Sequence, residues 1–371
     1  MILRVAAFVW LGISVSASAC IVFSAPNIRL FPLTVGIREL SPWVAVVNLL
    51  GVAMAWKFHR GMALAFVACL LISIWPLAQI PSVVHSMKGQ ITYQMGEPLR
   101  RARSAPYVLL DSFRGIPSGD IEPQRLPLNI LLYSPKTPGP WPVLIDIYGG
   151  AWQRGTPADD SRFNSYMASQ GYAVFAIDYR HAPDAQFPAQ IEDVRAAIAF
   201  VHENAARYNV IADRFALCGR SAGGQLALLA AYENGPVPIL AVISFYGPTD
   251  LNLGYTDVPA PDPMDVRSVL TTYLGGPPGA VPERYHAASP VSYAGGKLPP
   301  TLLIQGGRDH IVKPVFAREL NEKLRAAGNQ SVLLEIPWAE HAFDAVFAGP
   351  GNQLALFYIE RFLDGTLRDR M

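Results

Sequence analysis

The stretch "CGRSAGGQLALLAAY" (residues 218–232) decides the fold prediction, because it places one serine between two glycines ahead of a run of small and apolar residues. The residues just before it, "RFALC" (214–218), are typical of a short buried strand, and the residues after Ser221 predict a helix. Gly219, Ser221 and Gly223 fit G-x-S-x-G, a pattern that marks a nucleophilic serine when strand, sharp turn and helix surround it. Glycine and serine are also common at ordinary turns, so the motif needs partners elsewhere in the chain.

Strand-like and helix-like segments alternate from about residue 107 onward. Runs of apolar and branched residues predict strands, and apolar residues at helical spacing predict helices. The strand-like runs lie in residues 107–111, 128–135, 141–152, 171–180, 214–218, 240–247, 301–307 and 332–338, and clear helical patterns lie in 187–208 and 314–328. This alternation predicts an α/β fold in which a mostly parallel sheet is covered by helices on both faces. Residues 251–300 are rich in proline and glycine, and we expect them to form a short cap over the sheet's active end.

The N-terminal part of the chain has a different character. The 371 residues are 51% hydrophobic with a mean hydropathy of +0.23, which is more apolar than an average soluble enzyme. The excess of apolar residues lies largely in three segments, at about 5–24, 42–56 and 61–80. A membrane span needs roughly 20 mostly apolar residues. We therefore expect two or three transmembrane helices in a membrane anchor over residues 1–84, a linker over 85–106, and a catalytic domain over 107–371. Residues 1–19 also resemble a signal peptide that would be cleaved, and this alternative stays open.

Basic residues near the apolar segments suggest an orientation in the membrane. Lys57 and Arg60 lie in a tight loop between two segments and prefer the cytoplasm, and Arg4 agrees if all three segments span. This arrangement favours a catalytic domain on the outer face, periplasmic or extracellular. Three other basic residues favour the opposite orientation: Arg29, Arg38 and Lys88.

Composition argues against several functional classes. The formal net charge is only +1 and the chain has no basic stripe, so we expect no nucleic-acid partner. The three cysteines, Cys20, Cys69 and Cys218, imply no disulfide framework, and their spacing does not suit a zinc site.

Two further residues follow predicted strands and complete a set with Ser221. Asp309 follows the strand at 301–305, and His341 follows the strand at 332–336, 32 residues later. Functional residues of such sheets gather at the carboxyl ends of the strands. The order serine, aspartate, histidine is the one that α/β-hydrolases use. Asp250 follows another strand and is a rival for the acid, ranked behind Asp309.

Each residue type has a chemical reason to be in this set. A serine hydroxyl becomes a good nucleophile when a base takes its proton, and histidine is a base near neutral pH. An aspartate can hold the imidazole tautomer and stabilise the imidazolium that forms. The oxyanion of the tetrahedral intermediate needs preorganised N–H donors. We expect one from Ala222 and another from the loop "YGGAW" (148–152).

Five motifs in order, "YGGAW", "DYRHAPDAQFPAQIEDVRAAI", "GRSAGG", "GGRDHIV" and "EHAFD", resemble α/β-hydrolase esterases of the hormone-sensitive-lipase-like and feruloyl-esterase-like group. The resemblance covers roughly residues 125–364. It implies carboxylesterase chemistry without a metal or cofactor, with oxyanion amides at Gly150, Ala151 and Ala222. Two positions depart from the group: Tyr148 stands where a histidine is usual, and Arg220 stands where an acidic residue is frequent.

The sequence thus predicts a membrane-anchored serine carboxylesterase that acts on a small-molecule or lipid-like ester through an acyl-enzyme. Two alternatives stay open: an amidase, formamidase or peptidase on the same scaffold, and a non-catalytic binding protein with a hydrolase fold. Four aromatic residues are candidates for an apolar acyl pocket: Trp152, Phe187, Trp338 and Phe343.

Overall fold

The structure, a computed structural model, describes residues 2–57, 59–95, 119–233 and 235–368. The helices are α1 (Ile2–Val22), α2 (Phe31–Glu39), α3 (Ser41–Trp56), α4 (Arg60–Ala78), α5 (Ile80–Met95), α6 (Ser161–Ser169), α7 (Ala189–Glu203), α8 (Ala222–Tyr232), α9 (Leu251–Thr256), α10 (Val266–Leu274), α11 (Pro282–Ala287), α12 (Val315–Ala326) and α13 (Pro350–Leu363). The strand expected at residues 107–111 lies outside the described residues.

One mostly parallel sheet organises the residues after 119. Its strands are β1 (Gln124–Arg125), β2 (Leu131–Tyr133), β3 (Trp141–Ile147), β4 (Ala173–Ile177), β5 (Val210–Arg220), β6 (Ile239–Phe245), β7 (Thr301–Gly306) and β8 (Ser331–Ile336). They lie in the order β1-β2-β4-β3-β5-β6-β7-β8. Strands β3 to β8 pair in parallel, whereas β2 pairs antiparallel with β1 and β4. This is the architecture that the alternating sequence pattern predicts.

The sheet is buried on both faces, which explains why its strands read as continuous apolar runs. In β3, Val143, Ile145 and Ile147 belong to the core on one face, with α7, α8 and α12. Leu144 points into the core on the other face, with α6 and α13. Because side chains alternate along a strand, an uninterrupted apolar run indicates helices on both sides of the sheet.

The expected cap segment consists of short helices. Residues 251–300 contain α9, α10 and α11, joined by loops. Leu251, Val266 and Leu270 of these helices line a cavity that also contacts Ser221. The segment therefore covers the end of the sheet that carries the predicted site.

The three apolar segments near the N-terminus form α1, α3 and α4. By length and composition, α1 could cross a membrane, as could a stretch over Arg60–Ile91 that begins with α4. The helices α2 and α3 pass the same test only together, as a pair bent by 73°. The described residues thus offer two or three candidate spans.

Part of the expected linker is a helix instead. Residues 80–95 form α5, separated from α4 only by Gln79. The buried residues of α5 join the core on one face of the sheet: Ile80, Val83, Met87 and Ile91. The apolar face of α5 packs on the sheet, and this packing stabilises residues 85–95 as a helix. Residues 96–106, the rest of the expected linker, lie outside the described residues.

Candidate active site

Ser221 sits on the sharp turn between β5 and α8. Its backbone has φ +52° and ψ −118°, a conformation that residues other than glycine rarely adopt. A Cβ atom on Gly219 would lie 2.1 Å from the carbonyl oxygen of Gly223, so the turn closes only with glycine at position 219. The Ser221 N–H donates to the carbonyl oxygen of Phe245 at 2.9 Å, which holds the turn on the neighbouring strand.

Ser221, His341 and Asp309 form a chain of hydrogen bonds. The Nε2 atom of His341 lies 3.0 Å from the Oγ atom of Ser221. The Nδ1 atom of the same ring lies 2.8 Å from Oδ2 of Asp309. These distances are within the reach that proton transfer and imidazole orientation require. The structure thus brings the three predicted residues together, although they are 120 and 32 positions apart in the chain.

Asp309 is held in place by its own loop. Its Oδ1 accepts the N–H groups of Ile311 at 2.9 Å and Val312 at 2.8 Å, and Gln305 donates to Oδ2 at 3.2 Å. The rival acid Asp250 has a different role, because its side chain caps α9 by accepting the N–H of Leu253 at 3.0 Å.

Burial and charge act in opposite directions on the pair. Burial raises the pKa of the Asp309 carboxyl above its ordinary value, and the neighbouring His341 offsets only part of that effect. Burial alone would lower the pKa of His341, but the charge and hydrogen bond of Asp309, together with two further carboxylates nearby, outweigh burial and raise that pKa. A histidine held in this way accepts a proton readily, which suits a general base.

The loop with Gly150 and Ala151 borders Ser221 and has unusual backbone angles. Gly150 has φ +121° and Ala151 has φ +56°, and a Cβ on Gly150 would lie 2.0 Å from the carbonyl oxygen of Arg154. Both residues line the same cleft as Ser221. Among the described residues, the amide N–H groups of Gly150, Ala151 and Ala222 donate no hydrogen bond. These amides are thus suited to bind an oxyanion.

Tyr148 stands where the resembling group usually has histidine, and its side-chain contacts hold the start of this loop in place. Its ring stacks on Tyr179 with centroids 4.5 Å apart. Its hydroxyl donates to Asp178 and lies 2.8 Å from Nε2 of His181. The tyrosine thereby fastens the end of β3 to the residues that follow β4.

Arg220, the second departure, is buried in an acidic cluster beside the nucleophile. Its Nη1 donates to Asp146 at 2.9 Å, and its Nε donates to Asp344 at 2.6 Å. The guanidinium carbon also lies 4.3 Å from the centre of the Phe163 ring. Arg220 therefore joins the strand before the nucleophile to the loop after His341, a contact that neither residue's local sequence signals.

Two cavities meet at Ser221 and Ala151. An open cleft of about 690 Å³ contains His341, the loop at 149–151 and several charged side chains. A smaller, mostly apolar cavity of about 60 Å³ extends beneath the cap segment. Of the four aromatic candidates, Trp152 lines the small cavity, whereas the others are buried in the cores: Phe187, Trp338 and Phe343.

Sequence reasoning missed one wall of the cleft. Ile28, Phe31 and Pro32, from the N-terminal part of the chain, line it together with the catalytic loops. Nothing in their local sequence signals this position, because the contact joins regions more than 100 residues apart. As for metals, no group of three His, Cys, Asp or Glu side chains within the described ranges is arranged to hold a metal ion.

Residues 129–324, more than half of the chain, match the BD-FAE family. The chain belongs to the BD-FAE family. Among curated proteins, it is 32% identical to the "Probable carboxylic ester hydrolase LipM" of Mycobacterium tuberculosis over 61% of this chain and 54% of that protein. It is 33% identical to "Esterase LipC" of the same organism, over 59% of this chain and 58% of that protein. The chain spans about half the length of the curated relatives it matches.

A solved structure described as "Bacterial Heroin Esterase" has the same fold. It superposes with a TM-score of 0.61 at 24% identity, over 71% of this chain and 90% of that one. These comparisons confirm the α/β-hydrolase fold and the predicted resemblance to the esterases that share it.

Proposed function

We propose that this chain is a membrane-anchored serine carboxylesterase that works through an acyl-enzyme. The observation that carries the proposal is the hydrogen-bonded chain Ser221–His341–Asp309 at the floor of an open cleft. The curated relatives that are named as ester hydrolases support the same reaction class.

The geometry supports a two-step reaction. Nε2 of His341 takes the proton of the Ser221 hydroxyl as Oγ attacks the ester carbonyl carbon, and Asp309 stabilises the imidazolium that forms. The amides of Gly150, Ala151 and Ala222 bind the oxyanion of the tetrahedral intermediate. The imidazolium then gives its proton to the leaving alcohol. In the second step His341 activates a water molecule, which attacks the acyl-enzyme and releases the acid.

The two cavities suggest how an ester lies across Ser221. The small apolar cavity has a volume of about 60 Å³, which suits a short acyl chain. The larger cleft would then receive the alcohol part of the ester. Because its wall includes Ile28 and Phe31, an apolar or lipid-like alcohol fits this side.

The contacts between the apolar helices and the catalytic domain support a position beside a membrane. Arg308 donates to the carbonyl oxygen of Val22 at the end of α1, and its guanidinium lies 5.0 Å from the Trp75 ring near the end of α4. Arg308 of the catalytic domain thus contacts the end of α1 and the last turn of α4. Lys57 and Arg60 lie at the opposite end of the α3–α4 hairpin, which favours a catalytic domain on the outer face.

Two experiments test the proposal. A panel of p-nitrophenyl esters of increasing acyl length, set against matched p-nitroanilides, should give turnover on the short esters and little on the anilides. A fluorophosphonate probe should label Ser221. Preferred turnover of the anilides would favour an amidase or peptidase, and absence of labelling would favour a non-catalytic binding protein.

The membrane part has a separate test. After a carbonate wash, the full chain should stay in the membrane pellet, because its apolar helices match the thickness of a bilayer. Release into the supernatant would contradict the anchor and leave the esterase assignment untouched.

A further inference from the structure

We infer that Arg38, in the N-terminal helix α2, is a positioning residue for the Asp309–His341 pair and acts through Glu340. The inference rests on the proposed esterase function. It makes the N-terminal segment a working part of the active site in addition to a proposed anchor.

Glu340 is placed between the two loops that carry the acid and the base. Its Oε1 accepts the backbone N–H of His310 at 2.9 Å and the N–H of His341 at 3.1 Å. Its Oε2 lies 2.8 Å from Nδ1 of His310. Since His310 follows Asp309 directly, one carboxylate holds both catalytic loops in register. Glu340 thus touches neither reacting atom but sets the backbone on which both catalytic side chains stand.

Arg38 holds that carboxylate from the other side. Its Nη1 donates to Oε2 of Glu340 at 3.1 Å. Its Nε donates to the carbonyl oxygen of Cys20 at 3.1 Å, and its Nη2 donates to that of Phe23 at 2.9 Å. These two carbonyls lie at the C-terminal end of α1, where helix carbonyl groups lack partners within the helix. Arg38 therefore fixes Glu340 to the end of α1.

The ion pair is buried, so neither partner has water as a substitute. The exposed fraction of the side chain is 1% for Arg38 and 0% for Glu340. Burial alone would raise the pKa of Glu340, but the hydrogen bonds and charge of His310, together with Arg38, hold that pKa below its ordinary value. Without Arg38, the buried carboxylate would lose its charged partner at Oε2 and turn toward water, which would displace Oε1 from the two N–H groups that donate to it.

Two other polar contacts at the same interface do not reach Glu340. Glu39 accepts the N–H of Gly351 at 2.8 Å, at the first turn of α13. The Arg308 side chain reaches Val22 and Trp75 but makes no hydrogen bond to Glu340 among the described residues. Arg308 thus provides a matched control, because it is an arginine that fastens the same end of α1 without holding that carboxylate.

The test is a double-mutant cycle on the full chain in detergent, with p-nitrophenyl acetate as substrate. Arg38→Met, Glu340→Gln and the double variant are compared with wild type in kcat, KM and thermal unfolding. We expect Arg38→Met to lower kcat by about 10- to 100-fold with little change in KM, because displaced catalytic groups slow the chemical step. The double variant should match Glu340→Gln within about twofold, since both changes act through one contact. Arg308→Gln should keep the wild-type kcat.

Several outcomes would overturn the inference. One is a folded Arg38→Met chain with wild-type kcat. A second is a double variant whose fold-loss in kcat equals the product of the two single losses. A third is a loss of kcat in Arg308→Gln as large as that in Arg38→Met. If Arg38→Met does not fold, the double variant decides, because it carries no unpaired buried charge; wild-type kcat there would overturn the inference. Failure of the proposed function is distinguishable, because the wild-type chain itself would then not hydrolyse the ester.

Discussion

A Cβ atom on Gly223 would lie 2.0 Å from the carbonyl oxygen of Ile147, so the first turn of α8 presses directly on the end of β3. This contact brings the amide of Ala222 close to the loop that starts at Tyr148. Gly223 therefore sets the spacing between the two halves of the proposed oxyanion hole. This close contact explains why the second glycine of the G-x-S-x-G motif carries no side chain.

Replacing Gly223 with alanine should impair catalysis. The new methyl group must push α8 away from β3, and a shift of about 1 Å at such a site costs on the order of 100-fold in turnover. Steady-state kinetics and thermal unfolding on the same samples would separate loss of activity from loss of folding. Gly279→Ala is the control, because a Cβ there meets no atom within 4 Å. Equal kcat in the two variants would contradict this role.

Replacing Ser221 with alanine should abolish hydrolysis while the chain stays folded. Loss of the nucleophile of such a triad lowers turnover by about a millionfold. Fluorophosphonate labelling should disappear as well. Ser161 lines the same cleft, so Ser161→Ala is a matched control that should keep both activity and labelling. A Ser221→Ala chain with a tenth of the wild-type rate would mean that another group attacks the ester.

The acid can be assigned by comparing two aspartates. Asp309→Asn should lower kcat by about ten-thousandfold, because the amide favours the wrong imidazole tautomer. Asp250→Asn should change kcat little, since this side chain caps α9. Measurement of kcat for both variants is sufficient. A larger loss of kcat in Asp250→Asn than in Asp309→Asn would identify Asp250 as the acid of the triad.

The parts of the molecule that were predictable from the sequence are those with a local signal. Apart from the two-residue strand β1, the strands and their order along the chain follow from apolar runs, and Ser221, Asp309 and His341 each follow one of them. Because parallel strands end at one edge of the sheet, three local patterns were enough to bring the residues together. The apolar segments were likewise predictable from length and composition.

The remaining features depend on contacts between distant residues and have no local signal. Arg38 and Glu340 are 302 positions apart, and neither has a motif around it. The helical part of the expected linker becomes recognisable only when Val83 and Met87 pack on the sheet. Arg220 departs from the resembling group, yet its acidic partners, Asp146 and Asp344, lie on two other segments of the chain. Only the three-dimensional structure shows what such residues contact.

The rate should depend on pH through His341. The ring must be neutral to accept the serine proton, and Asp309 raises the pKa of His341 above its usual value of about 6.5. On the acid side, kcat/KM should therefore fall with a midpoint above pH 6.5, and the raised pKa implies little activity at pH 5. The measurement is kcat/KM against pH for a substrate that does not itself titrate. A midpoint near pH 4.5 would indicate that a carboxylate is the base.

The edge of the sheet supplies the last prediction. Gln90 of α5 donates to the carbonyl oxygen of Leu333 at 3.1 Å, and its own side-chain oxygen accepts the Leu333 N–H at 3.2 Å. One side chain thus pairs with the backbone of the edge strand β8, which would otherwise offer free hydrogen-bonding groups. Gln90→Ala should lower the free energy of unfolding by about 1–2 kcal/mol, because two partly buried hydrogen bonds are lost. It should also speed hydrogen exchange at Leu333, and kcat should stay unchanged because no catalytic group is touched. Gln79→Ala is the control, since among the described residues that side chain donates to the carbonyl oxygen of Trp75, four positions earlier, and does not reach the sheet. If exchange at Leu333 were the same in both variants, α5 would not protect the edge of the sheet.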